Sequence, residues 1–204
     1  MKIKIFADGA DLEEMHKLAL NSQVRGFTTN PSLLRSAGVV NFHAFAARAI
    51  KAFPNHPISL EVFADDFSEM EYQAIKIASW GENVYVKIPV VNTKGESATA
   101  LIGRLAKAGI KINVTAVMCA AQVDDVLAAL STTPAIVSIF AGRIADTGRN
   151  PAGVIRHALR RKILQNHEIL WASPRQVLDV YTAEGLGCEI ITLSPELIRK
   201  LSLE

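Results

Sequence analysis

Val84-Tyr85-Val86-Lys87-Ile88-Pro89 decides how the rest of the chain reads. β-Branched and aromatic residues favour a buried strand, and the proline stops it. Val84, Val86 and Ile88 fall in one phase, Tyr85 and Lys87 in the other, because side chains alternate along a strand. A lone lysine near the end of such a strand must reach water or use its amine. The segments on either side read as a scaffold around Lys87.

Outward from it, strand-like runs cover 3–8, 24–30, 58–63, 84–89, 111–117, 136–142, 168–173 and 190–195. Amphipathic helical runs lie between them at 11–20, 32–37, 41–53, 66–79, 95–108, 119–130, 151–166 and 174–185. A last short helix over 195–202 opens on Ser194-Pro195-Glu196, with serine as cap and proline in the first turn. Asp11 fits the cap of the first helix. Strand–helix alternation predicts parallel strands with helices outside. Eight such units in 204 residues predict a single-domain (β/α)8 TIM barrel over 1–204, small for its class. A doubly wound open sheet is the competing architecture. It calls for a glycine fingerprint after the first strand, and Asp8-Gly9-Ala10-Asp11 is not one.

The strand phases favour the barrel. Ser59 and Glu61 alternate with Ile58, Leu60 and Val62; Asn113 and Thr115 with Ile112, Val114 and Ala116. Ser138 and Phe140 alternate with Val137 and Ile139; Trp171 and Ser173 with Leu170 and Ala172. An open sheet covered on both faces is apolar in both phases. A polar phase recurring in five strands, and late in them, predicts a shared interior with a site at its C-terminal mouth.

Bulk properties narrow the function. Half the residues are hydrophobic and the formal net charge is +2, so nothing points to nucleic acid or an anionic membrane. Cys119 and Cys188 are too few for a disulfide framework or a metal cluster. Cys119 reads as helix packing, and the five histidines as helix-surface or loop residues. The chain enters a strand at once and has no membrane-length apolar run, so the expected location is cytoplasmic. A homo-oligomer is the expected assembly.

The mouth holds the parts for Schiff-base chemistry. A desolvated lysine amine adds to a ketone, and the resulting iminium takes up electrons from a breaking carbon–carbon bond. Free lysine has a pKa of about 10.4, so burial must lower it first. Asp8 and Glu61, ending the first and third strands, are the carboxylates for moving protons. The structural alternative is an interior Lys87–Glu61 ion pair with no chemistry. Arg143 and Arg175 each follow a late strand end, beside Gly142 and Ser173, and suit a phosphate. No metal-ligand spacing occurs, so a metal-free site is expected.

Gly26-Phe27-Thr28-Thr29-Asn30-Pro31-Ser32 resembles the Gly-x-Thr-Thr-Asn-Pro-Ser signature of transaldolases. Val86-Lys87-Ile88-Pro89 is similar to that family's active-site lysine strand. Ile112-Asn113-Val114-Thr115, Ser138 to Arg143 and Ala172-Ser173-Pro174-Arg175 resemble its later strand ends. The resemblance runs along nearly the whole chain. The short length points to the small subfamily that includes fructose-6-phosphate aldolases. It implies that Lys87 forms the Schiff base with the dihydroxyacetone part of a phosphorylated ketose, and that a phosphorylated aldose accepts it. It further implies Asp8 as proton carrier, with Glu61 and Thr115 on the imine water. Asn30, Asn113 and Ser138 would hold dihydroxyacetone hydroxyls, with Thr28 close by, and Arg143, Ser173 and Arg175 the phosphate. No cofactor is implied.

Against the aldolase branch, Glu61 stands where that branch resembles a glutamine and Phe140 where it resembles a tyrosine; both favour transfer. Gly9 stands beside Asp8 where relatives resemble Leu-Asp-Thr-Ala, and the chain ends soon after the eighth strand, with a truncated C-terminal helix. These departures suggest a specialised sugar pathway rather than central pentose phosphate metabolism. A hydrolytic fructose-6-phosphate aldolase and a non-catalytic sugar-phosphate-binding barrel are the alternatives.

Overall fold

Eight parallel strands close into one ring, in the order of the sequence. The computed structural model describes residues 1–130 and 132–201. The strands are β1 (Lys4–Asp8), β2 (Val24–Thr28), β3 (Ile58–Glu61), β4 (Val84–Pro89), β5 (Ile112–Val117), β6 (Ala135–Ile139), β7 (His167–Trp171) and β8 (Ile190–Leu193). Helices follow the strands: α1 (Leu12–Ala19), α2 (Pro31–Ser36), α3 (Phe42–Ala52), α4 (Phe67–Ala78), α5 (Thr99–Lys107), α6 (Ala120–Ala129), α7 (Ala141–Asp146), α8 (Ala152–Arg161), α9 (Leu178–Leu186) and α10 (Pro195–Leu201). The TIM barrel is therefore as expected, and the open sheet is excluded. Residue 202 of the expected last helix lies outside the described residues.

Local chemistry explains the starts of the first four helices. Asp11 accepts from the backbone N–H groups of Glu13 and Glu14, which a helix start leaves unsatisfied. Asn30 caps α2 with proline in its first turn, and Asn41 and Asp66 cap α3 and α4.

Two layers fill the space inside the ring. The lower is apolar: Phe6, Ile136, Leu170, Ala172 and Ile190 are buried together, with Tyr85 and Phe140 against them. Gly26 belongs to this layer, because a Cβ there would stand 2.7 Å from the Phe6 ring. The upper layer is polar and forms the mouth. The outer faces of the strands pack under the helices in a second, larger core that includes Ile58, Val86, Val114 and Trp171.

Several readings are corrected. The phase of β7 is inverted: Leu170 and Ala172 face the interior, while Trp171 packs with the outer core. Four successive apolar residues, Ile169 to Ala172, disguise the alternation. Ala116 does not continue the apolar phase of β5. It takes φ 61°, and the pairing with β6 slips between Val114 and Val117, so a bulge restores Val117 to the outer core. α7 occupies a segment expected to end a strand; six residues are too few for a helical period to show. α5 starts at Thr99 rather than 95, because residues 91–97 fold back on themselves. Val91 bridges Ser97, and the Asn92 side chain accepts from Lys94 N and Glu96 N. α8 ends at Arg161 and α9 begins at Leu178. His167 is buried at the start of β7, and Cys119 is exposed at the N-cap of α6 rather than packed.

Candidate active site

Strand register assembles the site. Glu61 on β3 lies beside Lys87 on β4, and Lys87 beside Asn113 on β5. Asp8 on β1 lies beside Thr28 on β2. All five side chains share the interior phase. Asp8, Thr28, Glu61 and Lys87 lie near the C-terminal ends of their strands, the end where barrel enzymes carry their chemistry, and Asn113 sits lower, as the second residue of β5. They open into a cavity of about 540 Å³.

Lys87 is 7 % exposed. Its Nζ lies 2.9 Å from Glu61 Oε2 and donates to the Thr29 carbonyl at 2.8 Å. The interior ion pair of the structural reading is thus present, at the wall of a cavity large enough for a sugar phosphate. Asp8 stands in the same cavity. Burial pushes its pKa up most strongly, and the Glu61 charge adds to that. The Lys87 ammonium and the Thr28 hydroxyl pull it back down. Thr28 Oγ donates to Asp8 Oδ1 at 2.9 Å.

The far wall is a chain of amide and hydroxyls. Ser138 Oγ donates to Asn113 Oδ1 at 2.6 Å, and Asn113 Nδ2 donates to Ser59 Oγ at 3.0 Å. Both ends of the Asn113 amide are therefore partnered by serine hydroxyls. Thr115 is buried on the same wall. Asn30 lines the rim while its Oδ1 accepts from Leu33 N.

The other rim is built by a sharp turn and one close backbone approach. Ser173 takes φ 60°, which turns the chain just past β7. Its carbonyl oxygen comes so near Gly142 that a Cβ there would lie 1.6 Å away. Arg143, next in α7, lines the cavity with Ser173 and Phe140. Arg175 is not part of the lining: its guanidinium pairs with Asp146 of α7, and its backbone N–H donates to Asp179.

Eleven of the twelve residues singled out from the sequence therefore line one cavity, Arg175 being the exception. Thr192, Leu170, Ala172, Pro31 and Ser32 belong to it as well, and Ser59 lies behind Asn113. Thr192 could have been found by the rule that found Lys87, as a polar residue late in β8. Leu170 and Ala172 were hidden by the inverted phase.

A family model described as transaldolase/fructose-6-phosphate aldolase matches residues 5–204. The chain belongs to that family. Among similar proteins is a probable transaldolase of Dehalococcoides mccartyi, 30 % identical, the match covering 98 % of this chain and 90 % of the relative. Another, from Maridesulfovibrio salexigens, is 33 % identical with the same coverages. Among solved structures, 3-hexulose-6-phosphate synthase from Salmonella typhimurium superposes with TM-score 0.68 at 15 % identity, over 98 % of this chain and 97 % of that one. At that identity the likeness concerns the fold alone. Family membership makes this chain one of a group of carbon–carbon bond enzymes. Among the described residues, no helix is long and apolar enough to cross a membrane.

Asp8 carries a testable stability consequence. Its folded-state pKa is raised, so the folded chain holds the proton more tightly than the unfolded chain does. The stability this contributes is fully present below the unfolded carboxylate value, near 3.9. It is lost as pH rises through the higher folded value. Above that value the ionised Asp8 costs stability. The melting temperature of Asp8→Asn is expected to rise relative to the wild type as pH increases from about 4 to about 9. A difference that stays constant or reverses over that range would contradict this.

Proposed function

We propose that the protein is a transaldolase-type transferase, moving a dihydroxyacetone unit from a phosphorylated ketose to a phosphorylated aldose through a Schiff base on Lys87. The observation that carries this reading is the buried amine, 2.9 Å from Glu61 in the same cavity as Asp8. The amine adds to the ketone carbon, and the carbinolamine loses water with a proton supplied through Glu61 and a water held with Thr115. Asp8 then takes the proton from the hydroxyl beside the breaking bond. That bond's electrons pass into the iminium, leaving an enamine, and the aldose product departs. The acceptor aldehyde takes the enamine carbon and recovers the proton from Asp8. Hydrolysis of the new imine frees the lysine. The curated relatives named probable transaldolases support the same reading.

Transfer is favoured over hydrolytic release by Phe140. Its ring stands half-buried at the cavity wall without a hydroxyl to hold an extra water. Releasing dihydroxyacetone at equal rates with and without an acceptor aldehyde would instead identify a fructose-6-phosphate aldolase. Asn30, Asn113 and Ser138 hold the dihydroxyacetone hydroxyls, with Thr28 beside Asp8.

Arg143 and Ser173 hold the phosphate. Arg175 joins them only by leaving Asp146. Arg143→Ala is therefore expected to raise KM for a phosphorylated donor by about tenfold to a hundredfold, as loss of a charge-assisted contact does. Arg175→Ala is expected to raise it less. Equal effects in donor titrations would mean that the Asp146 pair opens on binding.

A further inference from the structure

We propose that Thr192 is a positioning residue for Asp8: its hydroxyl donates to Thr28 Oγ and so commits the Thr28 proton to the Asp8 carboxylate. Thr28 Oγ lies 2.9 Å from Asp8 Oδ1 and 2.6 Å from Thr192 Oγ. A hydroxyl has one proton to give. An ionised carboxylate has none, so Thr28 must donate to Asp8 and accept from Thr192. The order of donation is then Thr192 to Thr28 to Asp8.

The geometry suits a group that must both take and return a proton. β1 lies between β2 and β8 in the ring, so the two threonines come from the strands flanking Asp8. Both are buried, Thr28 at 3 % and Thr192 at 8 % exposure. When Asp8 is charged, the two hydroxyls point toward it. When Asp8 has gained a proton, both can rotate and pass donation the other way. Neither state leaves a buried hydroxyl without a partner. Gly9, next to Asp8, has no side chain to offer. The hydroxyl support comes from β2 and β8 instead.

The charged groups facing Asp8 are few. Lys87 on β4 and Glu61 on β3 act on it within the cavity, which Arg143 of α7 also lines. On its other side, Asp11 and Glu14 line a smaller space of about 310 Å³ with it. Asp11 is occupied as the cap of α1, and Glu14 pairs with Arg199 of α10. The threonine chain is the uncharged means of holding the carboxylate ionised against its burial.

The link to turnover rests on the Schiff-base reading above; the hydrogen-bond order does not. The Asp8 carboxyl carbon is therefore titrated directly by carbon-13 NMR in the ligand-free protein. Thr28→Val is expected to move the Asp8 midpoint up by about half a unit to one unit. Thr192→Val is expected to move it the same way, and Thr192→Ser to return it to the wild-type position. In the Thr28→Val/Thr192→Val double variant the shift is expected to match that of Thr28→Val alone, since Thr192 acts through Thr28. Should valine at position 192 prevent folding, Thr192→Ala takes its place. An unmoved midpoint in the position-192 variant, or additive shifts in the double, would overturn the proposal. The acid limb of the turnover profile is expected to follow the titration. Absence of a borohydride adduct on wild-type Lys87, with the titrations as described, would sink the Schiff-base reading and leave the hydroxyl chain standing.

Discussion

Lys87→Met is expected to abolish the adduct that borohydride traps from a ketose phosphate, and to lower transfer by about a thousandfold or more. Covalent catalysis runs through one atom, and removal of a nucleophile is not rescued by its neighbours. Methionine keeps the length and apolar stem of the side chain, so the cavity wall is preserved. Glu61 loses its partner at 2.9 Å but keeps part of its surface toward the cavity, where it can take up water or a proton. The fold should therefore survive, and a melting curve with intact-mass analysis of the trapped protein reads both effects. An undiminished adduct in Lys87→Met would mean that another amine does the chemistry. A folded variant with full transfer activity would return Lys87–Glu61 to a purely structural pair.

The second large effect is expected from one carbon atom. Gly142→Ala places a Cβ 1.6 Å from the Ser173 carbonyl oxygen and 2.7 Å from its carbonyl carbon. Both are backbone atoms, so no rotamer change relieves the overlap. The two segments are also bonded here: Gly142 N–H donates to the Ala172 carbonyl at 3.3 Å, and Ala172 N–H to Ile139 at 2.8 Å. Ordinary overpacking costs about 1–3 kcal/mol. A forced backbone separation should reach the top of that range, or roughly 6–12 °C in melting temperature at about 2–4 °C per kcal/mol for a chain of this size. Because Arg143 and Ser173 flank the collision, KM for a phosphorylated donor should rise as well. A variant melting within about 2 °C of the wild type would show that this rim yields more readily than its geometry implies.

What could be read before the fold was known followed from periodicity. β3 and β4 alternate cleanly, as does β5 up to Thr115, and their register brings Glu61, Lys87 and Asn113 side by side. The signature around Asn30 carries its own structural logic, since asparagine caps a helix that proline opens. The readings that failed lie where periodicity has no grip. β7 offers apolar residues in both phases, so Trp171 and Leu170 exchanged faces. α7 is too short to show a repeat. Arg175 was placed by its position after a strand, but the acid that holds it, Asp146, is supplied by that unforeseen helix. Thr192 lay in a correctly placed strand and was passed over. Its importance depends on a neighbour across β1, and alternation within one strand does not disclose such contacts.

The apolar layer beneath the mouth gives the cavity a floor. Phe6, Ile136, Leu170 and Ile190 are packed together there, with Leu170 at the cavity wall, so among the described residues the approach to Lys87 is a doorway at the mouth. A substrate seated in that doorway shuts bulk water out by its own presence. A phosphorylated sugar leaving that doorway readmits it, so protection from water lasts only while the entrance is filled.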